Sequence, residues 1–259
     1  ALFGLISMRF TNRGKNYADI DDETAYDWLR RHGQNDRIIE NLWNLFILPA
    51  LNDDVRSVSA SEMIKVFQVA LLKNSTGSKI GVAKIGLTSL NGKPAQTYIE
   101  AHGGNVRLGN GVKSICVQDN QVQHVKMQDG DTVNSDLFVS ALPFEVMLES
   151  LPKTVVNQKF FRRLQLIKTA PIVGLNIWYD KPIMDRAFVA FLNSPVQWVF
   201  NKSLIHSNDT SSGQHVYISL SGAWEHVNDS KEKLRKRFIE EMSRLFPQAR
   251  YANVTRFLA

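Results

Sequence analysis

Apolar residues recur at helical spacing in residues 1–103, and beyond Gly104 the rhythm shifts toward alternation. Ala1–Arg9 reads as a short apolar helix, followed by a polar loop over Thr11–Asp19. Asp21, Asp22 and Thr24 are each suited to cap a helix through Arg31, which Gly33 stops. Asn35 or Asp36 caps the next. There Ile38, Ile39, Leu42, Trp43, Leu45, Phe46, Leu48 and Leu51 are too dense for a one-sided stripe. They predict a helix buried on most faces or lining an apolar cavity, with Pro49 kinking or ending it. Ser59 or Ser61 caps a third helix, with Met63, Val66, Phe67, Ala70 and Leu71 at three- and four-residue spacing. A turn-rich break (Asn74–Gly81) and a β-prone, glycine-broken segment follow.

From Gly104 the pattern predicts consecutive strands: Val106–Leu108, two strands joined by an Asp119-Asn120 turn, and a third after Asp129-Gly130. Leu137–Leu142 reads as a parallel strand. Helices are expected over Glu145–Leu151 and near Asn157–Leu166. Ile172–Trp178, Phe188–Phe191, Gln197–Phe200 and His215–Leu220 read as antiparallel strands. Ser230–Leu245 is an amphipathic helix with Leu234, Phe238, Ile239, Met242 and Leu245 inward, and Asn253–Leu258 is a last strand.

The composition is that of a globular protein: 259 residues, 44% hydrophobic and 22% charged. The net charge of +6 suits an anionic partner. The basic run Lys231–Arg237 alternates with acids on a helix and reads as a solvated face, so nucleic acid is not an expected partner. A single cysteine, Cys116, excludes an intramolecular disulfide and a cysteine-based metal site. No apolar run reaches the ~20 residues of a spanning helix, and no signal peptide is evident. These features predict a cytoplasmic protein. The chain opens inside a helical pattern and closes in a strand, as expected of a piece of a longer protein.

Candidate chemistry is sparse. His32, His102, His124, His206, His215 and His226 show no metal-ligand spacing, and no G-x-S-x-G elbow occurs. No G-x-G-x-x-G stands between a strand and a helix; Gly109-Asn110-Gly111 reads as a turn. With no acid–base pair or activated nucleophile, an enzyme of this sequence needs a cofactor for the hard step. The positive signal is apolar: Trp28, Trp43, Phe46, Met63, Phe67 and Leu72 either pack a core or line a hydrocarbon pocket.

Several short motifs, in order, carry a resemblance. They are Trp28-Leu29, His32-Gly33-Gln34, Leu42-Trp43, Leu48-Pro49-Ala50-Leu51-Asn52, Ser59-Ala60, Leu87 to Leu90, and Gly103-Gly104 with Val106-Arg107-Leu108. Ala141-Leu142-Pro143, Pro171-Ile172-Val173 and Trp178-Tyr179-Asp180-Lys181-Pro182 follow. From about Ala25 to Ala259 the chain resembles the squalene-associated FAD-dependent desaturases (hydroxysqualene dehydroxylases) of the phytoene desaturase and flavin amine oxidase superfamily. The resemblance implies an α/β, FAD-dependent oxidoreductase-like fold with an inserted helical cap and an α+β substrate domain. It divides the chain into a cap at 1–103, an FAD-domain segment at 104–152, a substrate domain at 153–247 and a return strand toward the FAD domain at 248–259.

The implied cofactor is FAD, with Val112 meeting the adenine through its backbone and Ala141, Leu142 and Pro143 near the pyrophosphate. The implied substrate is an apolar polyprenoid, held by Trp43, Phe46, Met63 and Phe67. Carotenoid desaturase-like and amine oxidase-like chemistry are the alternatives within this superfamily, and a non-catalytic lipid- or partner-binding module is the alternative outside it. The lysine that many amine oxidases place before the flavin has Gly174 near its position here. Such a substrate implies peripheral contact with the inner face of the cell membrane, for which Arg9, Arg13 and Lys15 beside Ala1–Phe10 are candidates. The N-terminal glycine motif and the C-terminal Gly-Asp motif of the family are missing, so the chain alone is expected to bind FAD weakly or not at all.

Overall fold

The computed structural model describes residues 2–11, 20–73, 76–206 and 213–259. The expected loop at 12–19, with Arg13 and Lys15, lies outside them, as do Asn74 and Ser75 of the expected break. The chain forms two compact units, 1–86 with 170–259, and 87–169. The expected segment boundaries at 103/104 and 152/153 both lie inside the second unit.

The first unit contains a helical layer. Helix α1 (Leu2–Phe10) is followed by α2 (Ala25–Arg31), where Thr24 accepts a hydrogen bond from the Asp27 N–H as N-cap. The left-handed Gly33 (φ 74°) lies just beyond its end. Asn35 caps α3 (residues 36–51) by accepting from the Ile38 N–H. Pro49 does not end this helix. It lies inside the last turn, and Asn52 at φ 61° closes it.

Nor is α3 buried all round: Ile39, Trp43 and Ile47, at four-residue spacing, are buried, while Leu42 and Phe46 remain partly exposed. Ser59 caps α4 (residues 60–72), whose last turn, Gln68–Leu72, is a wider π turn. That turn shifts the helical phase, so Leu72 packs on the core and the expected Leu71 is exposed.

Trp28, Leu29, Ile39, Trp43, Met63 and Phe67 form the centre of this core. Gly4 of α1 approaches so closely that a Cβ there would stand 2.8 Å from the Trp43 ring. The buried Gln34 accepts from the Trp43 indole N–H at 3.2 Å and donates to the His32 carbonyl. The His32-Gly33-Gln34 motif is thereby a structural clasp.

The rest of this unit is an antiparallel sheet in the order β5-β6-β7-β4-β8. Its strands are β4 (Val173–Tyr179), β5 (Phe188–Ala190), β6 (Trp198–Asn201), β7 (Gln214–Leu220) and β8 (Val254–Leu258). β8 pairs with β4 and completes this sheet. The amphipathic helix α10 (Lys231–Leu245), capped by Ser230, packs Leu234, Phe238 and Met242 into a core with Leu175, Ile177, Val199, Val216 and Ile218. Each such side chain contributes about 1.5–3 kcal/mol by leaving water.

The second unit holds helix α5 (residues 88–101) and the hairpin of β1 (Val112–Gln118) and β2 (Gln121–Met127), with β3 (Thr132–Val133) alongside. Asp119 and Asn120 both have positive φ, as a two-residue hairpin turn of the primed type demands. Helices α6 (Phe144–Ser150), α7 (Lys153–Val156) and α8 (Lys159–Leu164) follow; α9 (Lys202–His206) lies in the first unit, between β6 and β7.

Three expected strands are not strands. Val106–Leu108 and Leu137–Leu142 run without backbone partners among the described residues, with Leu108, Leu137 and Val139 almost fully exposed. Apolar, β-branched sequence sets a preference, but a strand exists only where a neighbour completes its ladder. The β-prone stretch after α4 likewise stays unpaired, with Ile80, Val82 and Ile85 exposed between Gly81 and Gly86.

Candidate functional site

The face of the five-stranded sheet away from α10 carries a continuous aromatic surface. Register places its side chains in cross-strand rows: Arg256, Trp178 and His215; then Leu258, Asn176, Tyr217, Phe200 and Phe188; then Gly174, Ser219, Trp198 and Ala190. Phe188, Trp198 and Phe200 lie 6.1–6.3 Å apart, and Tyr217 continues the series at 6.3 Å from Phe200. At Gly174 a Cβ would stand 2.7 Å from the Tyr217 hydroxyl, so the phenol lies flat over a position that has no side chain.

Helix α3 brings Phe46, Pro49 and Ala50 against this floor. With Ile80, Phe188, Trp198 and Phe200 they enclose a cleft of about 370 Å³ whose lining holds no ionisable group. Of the four aromatic and sulfur side chains expected to hold substrate, only Phe46 reaches it. Trp43, Met63 and Phe67 are buried in the helical core, where Trp43 meets Phe67 edge-on at 5.0 Å. The spacing that marks them as apolar does not distinguish a helix's core side from its cleft side. Phe188, Trp198, Phe200 and Tyr217 were not anticipated. Their signal is a strand apolar on both faces, with Trp198 and Phe200 alternating with the buried Val199.

At the end of the face His215 stacks on Trp178 (4.1 Å, 8°), and its Nε2 lies 3.0 Å from Asn176 Oδ1. Burial, then the charges of Lys202, His206 and Arg256, depress its pKa from 6.5 to about 4. The native state therefore binds fewer protons than the unfolded chain between those values. Stability rises with pH across pH 4–6.5 and is complete above 6.5. At pH 4.5 the protein is expected to be weaker by on the order of 1 kcal/mol, allowing for solvent screening of the half-exposed ring. Urea midpoints at pH 4.5 and 7 check this, and His215→Gln removes that part of the difference.

A second cleft lies within the 87–169 unit. It measures about 720 Å³ between the β1–β2 hairpin, the extended run 138–142 and helices α6 to α8. Val112, Ala141 and Leu142 all line it, while Pro143 is the N-cap residue of α6. Three of the four residues inferred to meet FAD thus line one cleft, and Pro143 follows Leu142 directly in the chain.

The lining fits part of FAD. Flat apolar walls and the unpaired backbone of the 138–142 run suit an adenine ring. The polar side chains there are Asn120, Ser140 and Gln158, with no cation, and the first turn of α6 carries Glu145. Nothing in this cleft compensates a pyrophosphate, whose usual cradle is a glycine-rich turn at a helix N-terminus. Among the described residues no group of histidine, cysteine and carboxylate side chains could hold a metal.

Comparison with known proteins agrees with this layout. Residues 4–259 match the family described as flavin containing amine oxidoreductase. The chain is 24% identical over 239 residues to a 15-cis-phytoene desaturase of Capsicum annuum, covering 90% of this chain and 41% of the relative. It is 22% identical over 258 residues to a 15-cis-phytoene desaturase of Synechococcus elongatus, covering 95% and 54%. It thus spans about half the length of these curated relatives. In fold it is similar to putrescine oxidase bound to putrescine (TM-score 0.70, 16% identity, 96% of this chain and 55% of that one). The family match over nearly the whole chain shows that it belongs to the flavin-containing amine oxidoreductase family, whose cofactor is FAD.

Proposed function

We propose that this chain supplies the substrate-binding sheet and part of the FAD-binding domain of an oxidoreductase acting on a long apolar isoprenoid. The class is that of the phytoene-type desaturases, and a C30 squalene-type polyprenoid is the specific substrate we favour. The observation that carries the reading is the cleft of Phe46, Phe188, Trp198 and Phe200, which has no charged lining group. A protonated amine there would lose its hydration with no carboxylate to compensate it, whereas a hydrocarbon gains by leaving water. Gly174 supports the same choice over amine oxidation. It stands near the place of the amine oxidases' lysine, and the Tyr217 phenol occupies the space a side chain would need.

Bound flavin would accept hydride; the chain's own residues position the hydrocarbon and exclude water. No helix among the described residues is long and apolar enough to cross a membrane. We place substrate collection at an anionic bilayer surface on the cytoplasmic side, through Arg9 beside the exposed Phe3, Ile6 and Phe10 of α1.

Fluorescence titration tests the reading. Squalene or phytoene in detergent is expected to quench Trp198, and Phe200→Asp to weaken binding at least tenfold by placing a carboxylate against the chain. Binding of putrescine with none of either hydrocarbon would reject it.

A further inference from the structure

The far end of the sheet face is not suited to a hydrocarbon. Arg256, Trp178 and His215 form one row across β8, β4 and β7, with the Arg256 guanidinium carbon 4.9 Å from the Trp178 ring centre. The His215 backbone N–H donates to Ser203 Oγ at 2.9 Å, tying the row to α9, which carries Lys202 and His206. His206 is itself held by the Lys84 carbonyl at 3.1 Å. No carboxylate pairs with Lys202, His206 or Arg256 among the described residues.

We propose that this corner is an anion subsite that takes a phosphate or diphosphate group. Its donors are of the kinds that recognise several oxygens at once: a guanidinium fork held over an indole and an ammonium, joined by two imidazoles whose open nitrogens donate only once they take up a proton. With Asn176 Oδ1 accepting from Nε2, the neutral His215 presents Nδ1 as its open nitrogen. Burial first, and then the positive charges of Lys202, His206 and Arg256, keep His215 neutral, and those charges make the corner receptive to an anion. When an anion arrives, His215 takes up a proton and donates through Nδ1.

The subsite extends the proposed function. Along β7, Ser219 at the cleft and His215 at the corner are four residues apart, roughly 13 Å at strand rise. A phosphorylated isoprenoid, as distinct from an unfunctionalised hydrocarbon, would lie with its chain on the aromatic floor and its phosphate end at the corner; this link rests on the polyprenoid reading, while the anion subsite itself does not.

The test is the pH titration of the His215 imidazole by NMR with inorganic pyrophosphate, against sodium chloride at equal ionic strength. Pyrophosphate is expected to raise the His215 pKa from about 4 by one unit or more, and chloride to leave it in place. Lys202→Ala and Arg256→Ala, each with an unchanged circular dichroism spectrum, should weaken pyrophosphate at least fivefold. An equal shift with chloride, or full affinity in both variants, overturns the proposal. Farnesyl diphosphate and farnesol separate the sources. Tighter binding of farnesyl diphosphate than of pyrophosphate or farnesol supports one ligand with head and tail. If the tail adds nothing to pyrophosphate, the subsite serves a free phosphate group and the link between head and tail fails, while the hydrocarbon cleft stands or falls on its own titration.

Discussion

Trp43→Ala will destabilise the helical layer by about 3–5 kcal/mol, while Phe46→Ala three residues on will cost ~1 kcal/mol or less. Trp43 is 1% exposed, packs edge-on against Phe67 and receives Gly4 of α1 against its ring. Its loss opens a cavity that a helix carrying Ile39 and Ile47 in the same stripe cannot close. It also leaves the buried Gln34 Oε1 without the indole donor, adding an unsatisfied polar group. Phe46 is 41% exposed and stands in the cleft. Its removal should instead weaken hydrocarbon binding several-fold. Denaturant midpoints and ligand titrations on the two variants separate the roles; a Trp43→Ala cost below 1 kcal/mol would reassign Trp43 to the cleft wall.

The division between Trp43 and Phe46 shows where the sequence is informative. The starts of α2, α3, α4 and α10 were legible because they rest on local chemistry, whereas α5 and α9 were not read as helices. Thr24, Asn35, Ser59 and Ser230 each hydrogen-bond an N–H that a helix start leaves open, whereas the end of α3 was expected at Pro49 and falls at the left-handed Asn52. The Asp119-Asn120 turn is local in the same sense. The antiparallel strands were legible because Leu175/Ile177 and Val216/Ile218 alternate against one core. Which side of α3 meets a cleft depends on elements far away in sequence, and the π turn ending α4 changes its phase without a residue that announces it. Val106–Leu108 and Leu137–Leu142 have strand composition, but their ladders depend on neighbours that no local pattern supplies.

The candidate site divides in the same way. Val112, Ala141 and Leu142 converge on one cleft, and their assignment came from resemblance, since three apolar residues in strand-like sequence carry no chemistry of their own. The aromatic floor has the opposite history. Trp198, Phe200 and Tyr217 were read as ordinary strand residues, and only register shows that their outward faces form one surface. His215 was one of several histidines without ligand spacing; its stack on Trp178 comes from pairing across β4 and β7.

Phe238→Ala should cost about 3–5 kcal/mol, whereas the adjacent Arg237→Ala should change stability by ~0.5 kcal/mol or less. Phe238 is fully buried in the middle of α10, between Leu234 and Met242 on the stripe that covers the sheet. Arg237 points toward solvent and reaches Glu225 at 3.5 Å, a surface pair worth little. The strands under Phe238 carry the aromatic floor on their other side, with Ile177 and Ile218 alternating with Trp178, Tyr217 and Ser219. A cavity beneath the sheet lets those strands shift, and interiors packed like crystals pass such shifts on. Phe238→Ala is therefore expected to weaken hydrocarbon binding while touching no ligand, and to do so under conditions where the variant remains folded. Urea unfolding with fluorescence titration below the transition measures both. A destabilised variant with unchanged ligand affinity would show that the floor does not depend on the core behind it.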